Sequence, residues 1–109
     1  MSKPTDLVQG TLDLLILKVL ALEPLHGWAI AQRIHDMSND VLQVGQSALY
    51  PALHKLEQQG WIEAEWKISD NNRRAKYYRL TRAGRNAMAK EANQWERLSA
   101  AISLIVRTA

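Results

Sequence analysis

The segment Val44–Ile62, VGQSALYPALHKLEQQGWI, decides how this chain reads. Leu49, Leu53 and Leu56 recur at helical spacing and form one apolar stripe. Proline inside a helix costs roughly 3 kcal/mol but little in the first turn, where its missing amide has no partner anyway. Pro51 therefore predicts a start near Ser47, whose hydroxyl can cap the helix. Gly60 suits the left-handed position past the end, so a helix is expected from about Ser47 to Gln59. Away from the stripe lie Gln46, Ser47, Tyr50, His54 and Lys55. Any amphipathic helix has a polar face, so what this one touches depends on its neighbours.

Working outward, TLDLLILKVLALEP (11–24) is apolar on nearly every side and predicts a helix buried on two flanks, ended by Pro24. Asp6, with Gln9 three residues on, is placed to cap an earlier start. One small domain is not expected to cover so apolar a helix, so part of it should face another subunit. HGWAIAQRIHDMSND (26–40) reads as a second helix on Ile30, Ile34 and Met37, with Ser38, Asn39 and Asp40 as its terminating loop. After Gly60 the period falls to two. In WIEAEWKI (61–68), Ile62, Ala64, Trp66 and Ile68 share one face of a half-buried strand. SDNN (69–72) is turn sequence, and AKYYRL (75–80) returns as the second strand. Thr81 then caps a long last helix on which Met88, Ala92, Trp95, Leu98, Ile102 and Ile105 recur every three or four residues.

Three helices, a hairpin and a long helix make a mainly α fold with a small two-stranded antiparallel wing. This is the layout of a winged helix-turn-helix. Residues 1–80 would form that domain and residues 81–109 the long last helix. In such a layout the third helix enters the major groove of DNA and the wing follows the backbone. Glutamine can pair with adenine, and serine bonds to base edges or phosphate. Tyrosine, lysine and protonated histidine suit phosphate. NNRRAK (71–76) clusters Arg73, Arg74 and Lys76 without an acid, which suits a polyanion partner. The net charge of +3 is too mild to argue that alone.

Composition narrows the alternatives. A chain of 109 residues holds one domain. The absence of cysteine excludes disulfides, thiol catalysis and cysteine-ligated zinc, and fits a reducing cytoplasm. The polar start MSKPTD is no signal peptide, and Asp13, Lys18 and Glu23 interrupt the longest apolar run too soon for a membrane span. His26, His35 and His54 lie on separate segments, and His35 and Asp36, being adjacent, cannot share a helix face. No phosphate loop or nucleophile elbow is present. No enzyme, metal site or cofactor is expected.

QGTLDLLILKVLALEPLHGWAIAQRI, SALYPALHKLEQQGWIEAEW and NNRRAKYYRLTRAG closely resemble the PadR family of bacterial transcription regulators over residues 7–107. The short C-terminus resembles the subgroup with a single terminal helix. The resemblance implies a homodimeric repressor whose first and last helices form the dimer interface, which assigns dimerisation to residues 81–109. It also implies DNA contacts at the positions of Ser47, Tyr50, His54, Arg73, Arg74 and Lys76. A two-fold dimer would favour a pseudo-palindromic operator with half-sites one helical turn apart. Trp28 stands where many relatives have tyrosine.

Four tryptophans accompany no phenylalanine. Trp28, Trp61 and Trp66 are expected to pack in the core or hairpin. Trp95 matches a position where multidrug-responsive relatives stack a tryptophan on flat aromatic ligands, so a small aromatic effector is a candidate partner. Leu12, Leu15, Val19, Leu98 and Ile102 are then candidate walls, and the competing role for Trp95 is to fill the dimer seam. The rival function is a winged-helix protein–protein module that binds no DNA; it has no need of arginines clustered at the wing tip.

Overall fold

The structure, a computed structural model, describes the backbone of residues 4–108 and the side chains of residues 10–108. The elements run α1 (Pro4–Leu20), β1 (Leu25–His26), α2 (Gly27–Met37), α3 (Gln46–Gln58), β2 (Ile62–Ile68), β3 (Arg74–Leu80) and α4 (Arg82–Val106). The expected cap by Asp6 and Gln9 and the polar start MSKPTD fall outside the described side chains. Among the described residues, no helix is long and apolar enough to cross a membrane.

The core is the α1 stripe closed over by α2 and α3. Ile16, Leu17, Ile30, Leu49, Leu53 and Leu56 are the most deeply buried side chains of these helices. Packing covers α1 more fully than its pattern suggests, since Leu12, Leu14, Val19 and Leu20 are also buried within the single chain. The helix stops at Leu20, four residues before Pro24. The amides of Ala21 and Leu22 turn back onto Leu17 and Val19, freeing Leu25 to enter a strand.

That strand is a departure from the expected wing. The sheet has three antiparallel strands in the order β1-β3-β2, with Leu25 opposite Tyr78 and His26 opposite Tyr77. Two residues are too few to show a period, so β1 leaves no trace in the pattern. Its His26 also caps α2, accepting the Ala29 amide on Nδ1 at 3.3 Å. The hairpin itself pairs Ile62 with Leu80 through to Ile68 with Arg74. Asn72 (φ +59°) and the Ser69 amide bonded to the Arg73 carbonyl close its tip. Only the root of β2 meets the core: Ile62 is buried and Ala64 half-buried, while Trp66 and Ile68 project into solvent. Met37, at the last position of α2, is exposed as well.

α3 begins one residue earlier than expected, at Gln46. Gly45 is its cap residue and no side chain caps it. Ser47 therefore lies inside the first turn, its hydroxyl without a hydrogen bond among the described residues, and Pro51 sits in the second turn rather than the first. The helix ends as expected at a left-handed Gly60 (φ +77°). Thr81 starts α4 by accepting the Gly84 amide at 3.0 Å and donating toward the carbonyls of Gly60 (2.7 Å) and Trp61 (3.0 Å). This knot locks α4 to the end of α3.

Tyr78, buried in β3, has its hydroxyl pushed above the ordinary tyrosine value by desolvation, with the Lys76 ammonium partly opposing. The unfolded chain loses this proton first, so unfolding releases it and rising pH favours unfolding. Stability should hold below about pH 10 and fall above it until native Tyr78 also ionises. Urea midpoints between pH 9 and 11.5 should fall more steeply for the wild type than for Tyr78→Phe; parallel curves would refute this.

Candidate nucleic-acid interface and apolar cavity

α3 presents two different faces. Leu49, Ala52 and Leu53 are buried, while Gln46, Ser47, Tyr50 and His54 are exposed. Among the described residues none of these four side chains has a hydrogen bond or ion pair. Tyr50 is seated against Gly27, where a Cβ would come within 2.9 Å of its hydroxyl oxygen. At the wing tip Arg73 is exposed, its guanidinium unengaged among the described residues, and exposed Arg74 lies over the Trp66 ring at 5.0 Å. The surface combines side chains able to read base edges with cations able to meet phosphate.

The two lysines of the expected set are less free. Lys55 does not point away from the domain: its ammonium folds back onto Asp13 Oδ2 at 2.5 Å. Lys76 pairs with Glu57 at 3.3 Å and sits 5.5 Å from the Tyr78 ring centre. Both partners are distant in sequence, so spacing alone did not reveal them. One signal was available, because an acid embedded in the apolar flank of α1 needs a cation.

The tryptophans divide otherwise than expected. Trp61 is half-buried against the core, but Trp28 is 64% exposed and stacks on His26 at 6.2 Å, while Trp66 is 56% exposed beneath Arg74. Trp28 and Trp66 pack too far out to contribute to the core. Trp28 shares a surface depression with Gln46 and Tyr50, which places it beside the polar face of α3. His35 also differs from its reading. The left-handed backbone at Asn39 and Asp40 brings Asp40 back to it, so His35, Asp36 and Asp40 each place one polar atom within 4.8 Å of the others. His35 Nδ1 lies 3.6 Å from an Asp36 oxygen and 3.5 Å from an Asp40 oxygen.

A groove of about 330 Å³ opens where α1, α4 and the segment before α3 meet. Leu12, Leu15, Trp95, Leu98 and Ile102 line it together with Leu42 and Val44. Five of the six proposed interface residues thus come together; Val19 is buried in the core and is not part of this lining. Beyond the groove α4 leaves the domain, and Leu104, Ile105 and Val106 are about three-quarters exposed.

Residues 16–90, more than half of the chain, match the family described as Transcriptional regulator PadR-like. A transcriptional regulator of Mycobacterium tuberculosis is 33% identical over 84 residues, covering 77% of this chain and 75% of its own. An uncharacterized protein of Lysinibacillus sphaericus is 30% identical over 103 residues, 94% of each chain. Among solved structures, a PadR family transcriptional regulator from Eggerthella lenta superposes with a TM-score of 0.79 at 30% identity, covering 96% of this chain and 89% of its own. A transcriptional regulator from Clostridium thermocellum reaches 0.85 at 25% identity, covering 94% and 99%. The helical domain with its wing and the matched residues agree: this chain belongs to the PadR-like family of transcriptional regulators.

Proposed function

We propose that this regulator is a cytoplasmic homodimeric repressor that binds a pseudo-palindromic operator in double-stranded DNA. The observation that carries the reading is the exposed set Gln46, Ser47, Tyr50 and His54, unengaged among the described residues, on a helix whose opposite side is fully buried. Arg73 and Arg74 stand exposed on the adjoining wing. Residues 1–80 serve as the DNA-binding domain and residues 81–109 as the dimerisation helix. DNA enriched from a randomised pool should bind with an affinity that falls log-linearly with salt, by roughly 0.9 in slope per neutralised phosphate. Salt-independent binding, or none, would favour the protein–protein module.

A second copy of the chain is the natural cover for α4. Trp95, Leu98 and Ile102 are each about two-fifths exposed, continuing into the bare Leu104–Val106 segment. Such a row is unfavourable in water and suits a two-fold partner. Ile102→Glu should convert the dimer to monomer in sedimentation equilibrium and weaken operator binding by at least tenfold, about 1.4 kcal/mol, by removing one of two linked recognition units. A monomeric wild type would contradict the assignment.

The groove beside Trp95 is suited to a flat aromatic effector. Stacking on the indole adds about 0.5–1.5 kcal/mol beyond burial. Such a ligand relieves repression if it favours a subunit spacing that cannot reach two successive major grooves. Quenching of tryptophan fluorescence by planar aromatics should be largely lost in Trp95→Ala. Identical titration curves would leave Trp95 as packing alone.

A further inference from the structure

Asp13 is the only charged residue among the buried side chains described. Its Oδ2 receives the Lys55 ammonium at 2.5 Å, and its Oδ1 is sealed from solvent with no hydrogen-bond partner among the described residues. A carboxylate so placed is a poor device for stability, because an apolar residue fills such a site without the desolvation penalty. Its place in the fold suggests another use. Asp13 lies on α1, between Leu12 and Leu15 of the groove wall, and the residue it holds lies on α3, 42 positions away.

α3 has a second such tie. Glu57 reaches Lys76 of β3 at 3.3 Å. Lys55 and Glu57 are two residues apart, so they point about 200° apart around the helix. The leucine stripe holds α3 to the core, but apolar contact is non-directional. Two ion pairs on opposing flanks fix what the stripe leaves loose, the rotation of α3 about its own axis. A turn of about 20° moves a side-chain tip at the helix surface by about 2 Å, more than a hydrogen bond to a base edge tolerates.

We propose that Asp13 is a positioning residue for base recognition: it withholds Lys55 from the DNA and, with the Glu57–Lys76 pair, sets the rotation at which Gln46, Ser47 and Tyr50 meet the groove. The inference rests on the DNA-binding reading above and goes beyond it by assigning α1 a share in specificity.

The test compares a duplex enriched by the wild type with a scrambled duplex of equal length, across a salt series. Asp13→Asn should reduce the preference for the enriched duplex about tenfold, the scale of one misplaced base contact. Lys55→Met should do the same while keeping the wild-type salt slope, and Lys55→Arg should restore the preference. Should either single variant fold poorly, the apolar pair Asp13→Leu/Lys55→Met leaves no orphan charge and should show the same loss. A salt slope lowered by about 0.9 in Lys55→Met would make Lys55 a phosphate contact and overturn the proposal. So would wild-type preference in Asp13→Asn or in the apolar pair. Without DNA, urea midpoints of Asp13→Asn, Lys55→Met and their double variant should be non-additive; additive losses would remove the pair itself. A wild type that binds no duplex ends the DNA-binding reading and this one together. A wild type that binds while the variants behave like it ends only this one.

Discussion

Gly84→Ala should destabilise the protein by about 3 kcal/mol or more, a severe loss for a single methyl. At an ordinary helical site the same change is favourable by up to about 1 kcal/mol, because alanine is the better helix former. Here the sign reverses. A Cβ on Gly84 would stand 2.0 Å from the Trp61 carbonyl oxygen and 2.7 Å from a methyl of Leu80. The oxygen belongs to backbone and cannot swing aside. It also accepts the Thr81 amide at 3.0 Å, so backing α4 away breaks the bonds that start that helix. Because α4 is the proposed dimerisation helix, its displacement should also weaken subunit association. Urea denaturation at fixed protein concentration checks the first effect and sedimentation the second. A variant as stable as the wild type would show that the knot at Gly60, Trp61 and Thr81 is looser than described.

The second large effect is on affinity. Arg73→Ala/Arg74→Ala should lower binding to enriched and scrambled duplexes alike, by about ten- to a hundredfold near physiological salt, and flatten the salt slope by about 1.8. Both side chains are exposed at the hairpin tip and neither supports the core, so melting should change little. Arg74 covers the Trp66 ring, and the single Arg73→Ala variant isolates the electrostatic part from that contact. Gln46→Ala gives the contrast. Loss of a base contact should change which sequences are preferred, by roughly 1–3 kcal/mol at one position, and leave the slope intact. Unchanged affinity in the double arginine variant would dissociate the wing from DNA.

Periodicity carried much of the architecture. The stripes of α2 and α3, the alternation after Gly60 and the Thr81 cap set the order and approximate bounds of the main elements, because the helices repeat their apolar positions along one face and the strand alternates even where only its root is buried. What escaped was short or long-range. β1 is two residues, below the length at which alternation exists. The clasp of Lys55 by Asp13 joins positions that nothing local connects. Aromatic exposure was also hidden, since a tryptophan beside an element suits a core and a protruding hairpin equally well; Trp66 took the second option, and Trp28 stands exposed in the first turn of α2. The outward residues of α3 were legible because they are what the leucine stripe leaves over. Which of them remained uncommitted was not, since that depends on partners elsewhere in the fold.

The two residues of β1 have a consequence for how target sites can vary. They stitch the base of the hairpin to the entrance of α2, and so tie the wing directly to the helical domain that carries α3. Insertions or deletions within one arm of a target should then be penalised heavily. If the proposed dimer on a palindromic operator holds, variation in length should instead be absorbed at the operator's centre, where only the joint between two subunits has to give.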